Sequence, residues 1–116
     1  MSNQLHLVYS RRPDAVSDDE FNQWYDFHLS EILATPGFVS ARRYALLPDV
    51  VEERNPIQFT HLSLYETEGA IDDVMKALWD DSNQGSMDLP DWFEDIHFAS
   101  WNATALGAKA TEEASA

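Results

Sequence analysis

Residues 17–47, SDDEFNQWYDFHLSEILATPGFVSARRYALL, hold a helix, its stop and the strand that follows, and their order decides the fold. Ser17 followed by Glu20 has the form of a capping box, in which the hydroxyl accepts the amide proton of the third helical residue and the carboxylate reaches back. Asp18, Asp19 and Glu20 also put negative charge at the positive end of the helix dipole. Beyond them Phe21, Trp24, Tyr25, His28, Leu29, Ile32 and Leu33 recur at helical spacing, which predicts one apolar face with an imidazole lying along it. Pro36-Gly37 stops the helix, and FVSARRYALL at 38–47 is long enough for a strand spanning a domain.

Upstream, LHLVYS at 5–10 suits a first strand, broken by Arg11-Arg12-Pro13-Asp14. Downstream, the polar stretch PDVVEERNP at 48–56 separates the second strand from a third, IQFTHLSLYE at 57–66, as a hairpin with a long tip. Side chains alternate along a strand, so Thr60, Leu62 and Leu64 share one face and Phe59, His61, Ser63 and Tyr65 the other. The leucine face is expected to meet a helical layer and the mixed face to stay open. Thr67 can cap a second helix whose Ile71, Val74, Met75 and Leu78 form an apolar stripe, ending near Asp80. Residues 81–90 read as turns, 91–95 as a short turn, and IHFASWNATAL at 96–106 as the last strand.

This order predicts an α+β protein of ferredoxin-like βαββαβ plan, with a four-stranded antiparallel sheet carrying both helices on one face. One domain over residues 1–106 is expected, with a disordered tail at 107–116. An open sheet face bearing aromatics is too apolar for water, so pairing of two such sheets in a homodimer is expected.

The bulk properties narrow the function classes. The chain of 116 residues has room for one domain, and its 44% apolar and 24% charged residues support a packed core. A formal charge of −14, from 21 acidic and 7 basic residues, repels phosphate backbones and anionic membranes, so no nucleic-acid or membrane partner is expected. Without cysteine there is no disulfide, thiolate metal site or thiol nucleophile. No apolar run approaches the roughly 20 residues of a membrane helix, and the opening residues lack a basic segment followed by an apolar one, so a cytoplasmic protein is expected. The sequence has no glycine-rich phosphate loop and no nucleophile elbow, and His6, His28, His61 and His97 fall on separate elements without a ligand motif. Neither a metal nor a cofactor is expected.

FNQWYDFHLSEILATPGFVSARRY, residues 21–44, together with the strand order, resembles the dimeric α+β barrel proteins and among them the EthD-like group. His28, following Trp24-Tyr25 and preceding Glu31, is similar to that group's helix-one histidine, and PGF at 36–38 and RRY at 42–44 match as well. The chain differs in having one histidine where relatives often have two adjacent ones, and Ser30 where proline is common. The resemblance implies protomers whose sheets pack face to face, and a family of cofactor-free monooxygenases, cyclases, lyases, dehydratases and haem enzymes, so the fold does not choose a reaction.

His28 is the leading proton-transfer candidate, since imidazole titrates near neutrality, with Glu31 one helical turn away to orient it. His61 and Tyr65 offer a second proton donor and a hydroxyl, and Tyr44 shares a strand face with Arg42, which could hold an acidic or enolate-like substrate. Of Arg42 and Arg43, adjacent on a strand, one must face each side. His97 and Trp101 could wall a pocket for a flat substrate, as could Trp24. Each has a packing alternative: a satisfied core histidine, a dimer seam or a structural salt bridge. The leading expectation is a cofactor-independent lyase, dehydratase, cyclase or isomerase acting by acid and base catalysis on a small aromatic or polyketide-like oxygenated molecule. His28, Tyr44 and His61 are its catalytic candidates, and Trp24, Arg42, Tyr65, His97 and Trp101 its substrate-binding ones. Cofactor-free monooxygenation, and a non-catalytic metabolite- or haem-binding accessory role, are the alternatives, alongside a filled structural dimer.

Overall fold

The computed structural model describes residues 4–47, 58–83, 87 and 89–110. The expected hairpin tip at 48–56, part of the turn segment at 81–90, and the tail from 111 lie outside the described residues. The elements are β1 (Gln4–Arg11), α1 (Asp18–Leu33), β2 (Phe38–Ala45), β3 (His61–Thr67), α2 (Ile71–Asn83), a short 3-10 turn (Phe93–Asp95) and β4 (His97–Ala103). The strands form one antiparallel sheet in the order β2-β3-β1-β4, which is the ferredoxin-like βαββαβ arrangement.

The helix start behaves as half a capping box. Ser17 Oγ accepts the Glu20 amide at 3.2 Å, but the Glu20 carboxylate instead accepts a hydrogen bond from Trp92 Nε1 at 3.0 Å, tying α1 to the turn before β4. Thr67 does not cap α2: it ends β3, fully buried, with its hydroxyl donating to the Gln4 carbonyl at 3.2 Å. Gly37, at φ 99°, makes the turn from α1 into β2, and there a Cβ would lie 2.5 Å from Val74 Cγ2. Glycine is therefore required by the backbone and by the close approach of α2.

Both helices cover one face of the sheet. Ile32 of α1 and Val74 and Leu78 of α2 pack with Phe38 and Tyr65, and a second cluster joins Val16, Phe21, Tyr25 and Ile96. In β3 it is Ser63, Tyr65 and Thr67 that point to the helices and are buried, opposite Val8, His6 and Gln4 of β1. His61 has the same parity. The expectation that Leu62 and Leu64 would meet the helices is thus corrected: they lie on the other face, with Leu7, Tyr9, Arg42, Tyr44 and Trp101. Phe59 precedes the strand and stays near that open side, 6.0 Å from the Tyr9 ring. The physical reason is that this sheet has two apolar faces to cover, and its small polar side chains, Ser63 and Thr67, let the helices pack closely over the buried Tyr65.

Candidate functional site

Between the helical layer and the sheet lies a cavity of about 290 Å³. His6, Val8 and Tyr65 form its sheet wall, with Phe98 and Ser100 from β4; Tyr25, His28 and Ile32 line it from α1. Met75, Leu78 and Trp79 of α2 complete it with Met87, Leu89 and Phe93. The lining is mostly apolar with a few polar groups, the usual character of a small-molecule site.

His28 is 7% exposed and held on three sides. Its ring stacks on Trp24 at 4.6 Å between centroids, meets Tyr25 edge-on at 5.8 Å, and has Phe93 at 6.4 Å. Its Nδ1 lies 3.1 Å from Glu31 Oε1, both side chains being nearly buried. A carboxylate only accepts, so Nδ1 carries the proton and Nε2 keeps the lone pair. Burial pushes the imidazole below its ordinary pKa, while the hydrogen bond and charge of Glu31 pull it back up. The result is a neutral base in a fixed tautomer and orientation.

Facing it across the cavity, Tyr65 is fully buried and its hydroxyl has no regular hydrogen-bond partner. The hydroxyls of Tyr65 and Tyr25 approach Ser63, and that of Tyr25 also approaches Ser10, close enough to bias ionisation. Ser10 and Ser63 nevertheless also lack regular partners. Burial raises both tyrosines above the ordinary phenol value, so each stays protonated as a donor. A buried hydroxyl without a partner costs roughly 1–3 kcal/mol, which a ligand oxygen could offset.

The structure divides the sequence-derived candidates between the two sides of the sheet. His28 and Tyr65 share the cavity, and Trp24 backs His28. His61 lies on the helix side but outside the cavity lining, with its Nδ1 2.9 Å from Thr60 Oγ1 and its ring 5.8 Å from Phe21. Burial and the nearby Arg43 lower its pKa, against the opposing charge of Asp18. Arg42 and Tyr44 occupy the open face, the guanidinium 5.6 Å from the ring centre. His97 and Trp101 share that face by register, Trp101 packing edge-on against Tyr9 at 5.7 Å. These four are therefore not brought together with His28. Arg43 takes the helix side, bonded to Asp26 at 3.2 Å and Asn22 at 3.0 Å and lying over Tyr25 at 4.7 Å.

Two cavity residues had no distinguishing signal in the sequence. Tyr25 read only as part of an apolar stripe, and His6 as a lone imidazole in a short strand. His6 is 7% exposed, with Nδ1 2.7 Å from Asn102 Oδ1 and its ring 5.8 Å from that of Tyr65. Burial lowers its pKa, opposed by the Asn102 bond. Only pairing β1 with β4, which sets His6 opposite Asn102, exposes the relation. Among the described residues no group of three or more His, Asp or Glu side chains gathers to hold a metal, and no helix is long and apolar enough to cross a membrane.

Comparison with known proteins agrees on the fold. A scan against protein-family models finds no match, and a search of curated proteins finds none. Among solved structures, a dimeric ferredoxin-like protein of unknown function from Thermobifida fusca YX is similar at TM-score 0.60 and 15% identity, over 89% of this chain and 92% of that one. A candidate monooxygenase from Shewanella loihica PV-4 is similar at TM-score 0.56 and 11% identity, over 93% and 99%. An Arabidopsis thaliana protein is similar at 0.55 and 14%, over 90% and 99%. At these identities the likeness establishes the ferredoxin-like fold and leaves the reaction open.

Proposed function

We propose that the protein is a cofactor-independent acid/base enzyme of the lyase, dehydratase, cyclase or isomerase type, working in the cytoplasm on a small aromatic or polyketide-like oxygenated molecule. The observation that carries this reading is His28 in the wall of an apolar cavity, its Nδ1 fixed by Glu31 at 3.1 Å. In this mechanism Nε2 takes a proton from a carbon or hydroxyl made acidic by a neighbouring carbonyl, and the Tyr65 hydroxyl donates a hydrogen bond to the oxygen on which negative charge develops. The apolar lining excludes water and strengthens both interactions. His61, Arg42, Tyr44, His97 and Trp101, set outside this cavity, have no direct part in the step.

The EthD-like assignment rests on the match around His28, and we place the chain in that group as part of the proposal. A homodimer is proposed on the open sheet face, where Trp101 is 59% and Tyr44 40% exposed beside Leu62 and Leu64. A second reading draws on the neighbour described as a candidate monooxygenase. There His28 would perform the same deprotonation, and the resulting substrate carbanion would itself reduce oxygen.

The test is a turnover screen of aromatic ketones and polyketide-like acids with the parent protein and His28→Asn. Lost turnover with retained affinity supports catalysis. Lost affinity with no turnover in either protein replaces it with a binding role, and oxygen uptake during turnover selects the monooxygenase reading.

A further inference from the structure

We infer that His6 is a second proton-transfer residue of the cavity, acting from the sheet wall while His28 acts from the helix wall. This rests on the acid/base reading of the site and deepens it: the protein would move protons at two positions of one bound molecule.

Three observations carry the inference. His6 and His28 line the same cavity from opposite layers. Each has Nδ1 engaged by an acceptor oxygen outside the reacting space, Asn102 Oδ1 at 2.7 Å for His6 and Glu31 Oε1 at 3.1 Å for His28. Both rings are only 7% exposed, and with Nδ1 engaged the remaining nitrogen of each is Nε2. A histidine whose Nδ1 is held from outside the cavity has its tautomer and ring orientation fixed, the arrangement in which Nε2 serves a ligand.

The two sites differ in chemistry. Glu31 is anionic and supports the imidazolium that forms when His28 takes a proton, whereas Asn102 is neutral and gives His6 orientation without that support. His28 is therefore the stronger base, and His6, facing the Tyr65 ring at 5.8 Å, suits the return of a proton to a second atom. The substrates this selects have two proton-exchanging positions joined through a carbonyl, such as β-dicarbonyl compounds and their enols.

A probe that depends on a general base alone tests this without the natural substrate. In 5-nitrobenzisoxazole, transfer of the ring C–H proton to an imidazole sends the C–H electron pair into a nitrile, breaks the N–O bond and releases a coloured phenolate, with no other reactant. Parent protein, His28→Asn, His6→Asn and the double variant are compared, with folding checked by circular dichroism. The expected result is that each single variant keeps a rate within about tenfold of the parent and the double variant falls to the buffer rate. If His28→Asn already equals the double variant, His6 moves no proton and the inference is overturned while the His28 reading stands. If His6→Asn equals the double variant and His28→Asn equals the parent, His6 stands and His28 falls. A double variant as fast as the parent ends both. Should His6→Asn not fold, Asn102→Leu in the His28→Asn background serves instead: loss of the residual rate supports the inference, and an unchanged rate overturns it.

Discussion

Trp24 lies flat against His28, their ring centroids 4.6 Å apart and their planes 16° from parallel. The stack fixes the plane of the imidazole, while Glu31 fixes its rotation within that plane. Since Trp24 also meets Trp92 and Phe93 edge-on, the ring that orients His28 is itself held by the turn before β4.

Trp24→Ala should therefore lower the benzisoxazole rate more than it lowers stability. Trp24 is only half-buried, so the loss of stability should stay below the about 3–5 kcal/mol typical of truncating a fully buried aromatic. Urea unfolding gives the stability and the probe reaction gives the rate. An unchanged rate in a folded variant would show that the stack does not matter to the base.

The buried imidazoles of His6 and His28, and the half-buried one of His61, are all held below their ordinary value of 6.5. Folding favours their neutral forms, so above that value folded and unfolded chains bind these protons alike. Below it the unfolded chain takes them up first, and stability falls with falling pH until the folded imidazoles titrate too. Between pH 7 and 5, in denaturant series at fixed ionic strength, His28→Asn should thus lose stability less steeply than the parent. Parallel curves would contradict the depressed His28.

Gly37→Ala should destabilise the domain by about 2 kcal/mol or more, because it combines a positive φ with a Cβ 2.5 Å from Val74 Cγ2. Pairing it with Val74→Ala, which removes the contacted methyls, should recover only the steric part. Full additivity of the two losses in urea unfolding would exclude the clash.

Leu64→Glu places a charge in the middle of the open face, opposite Leu7 of β1 and Arg42 of β2. If that face joins two protomers, sedimentation velocity should find the parent as a dimer and the variant as a monomer with unchanged circular dichroism. A parent that sediments as a monomer at tens of micromolar would refute the homodimer.

The fold was legible because its signals are local. The spacing from Phe21 to Leu33, the Pro36-Gly37 stop and the alternation through Leu62 to Tyr65 each need only neighbouring residues. Alternation says which residues share a face but not which way that face turns. Leu62 and Leu64 looked like the core side because leucine normally is, yet the helices meet Ser63 and Tyr65. His28 was legible through its sequence context; His6 was not, since its partner Asn102 is 96 residues away and becomes adjacent only when the terminal strands pair.

The inversion in β3 makes the sheet a partition on which odd and even positions have separate duties. Ser63, Tyr65 and Thr67 belong to the helix side, where Tyr65 lines the chamber; Leu62 and Leu64 belong to the outer wall. Sequence drift on one side can alter what the chamber admits without touching the wall, and the reverse. Sliding β3 by a single residue would exchange the two duties at once, driving leucine into the chamber and tyrosine out to the wall. The strand thus tolerates a like-for-like substitution within either parity far better than an insertion or deletion.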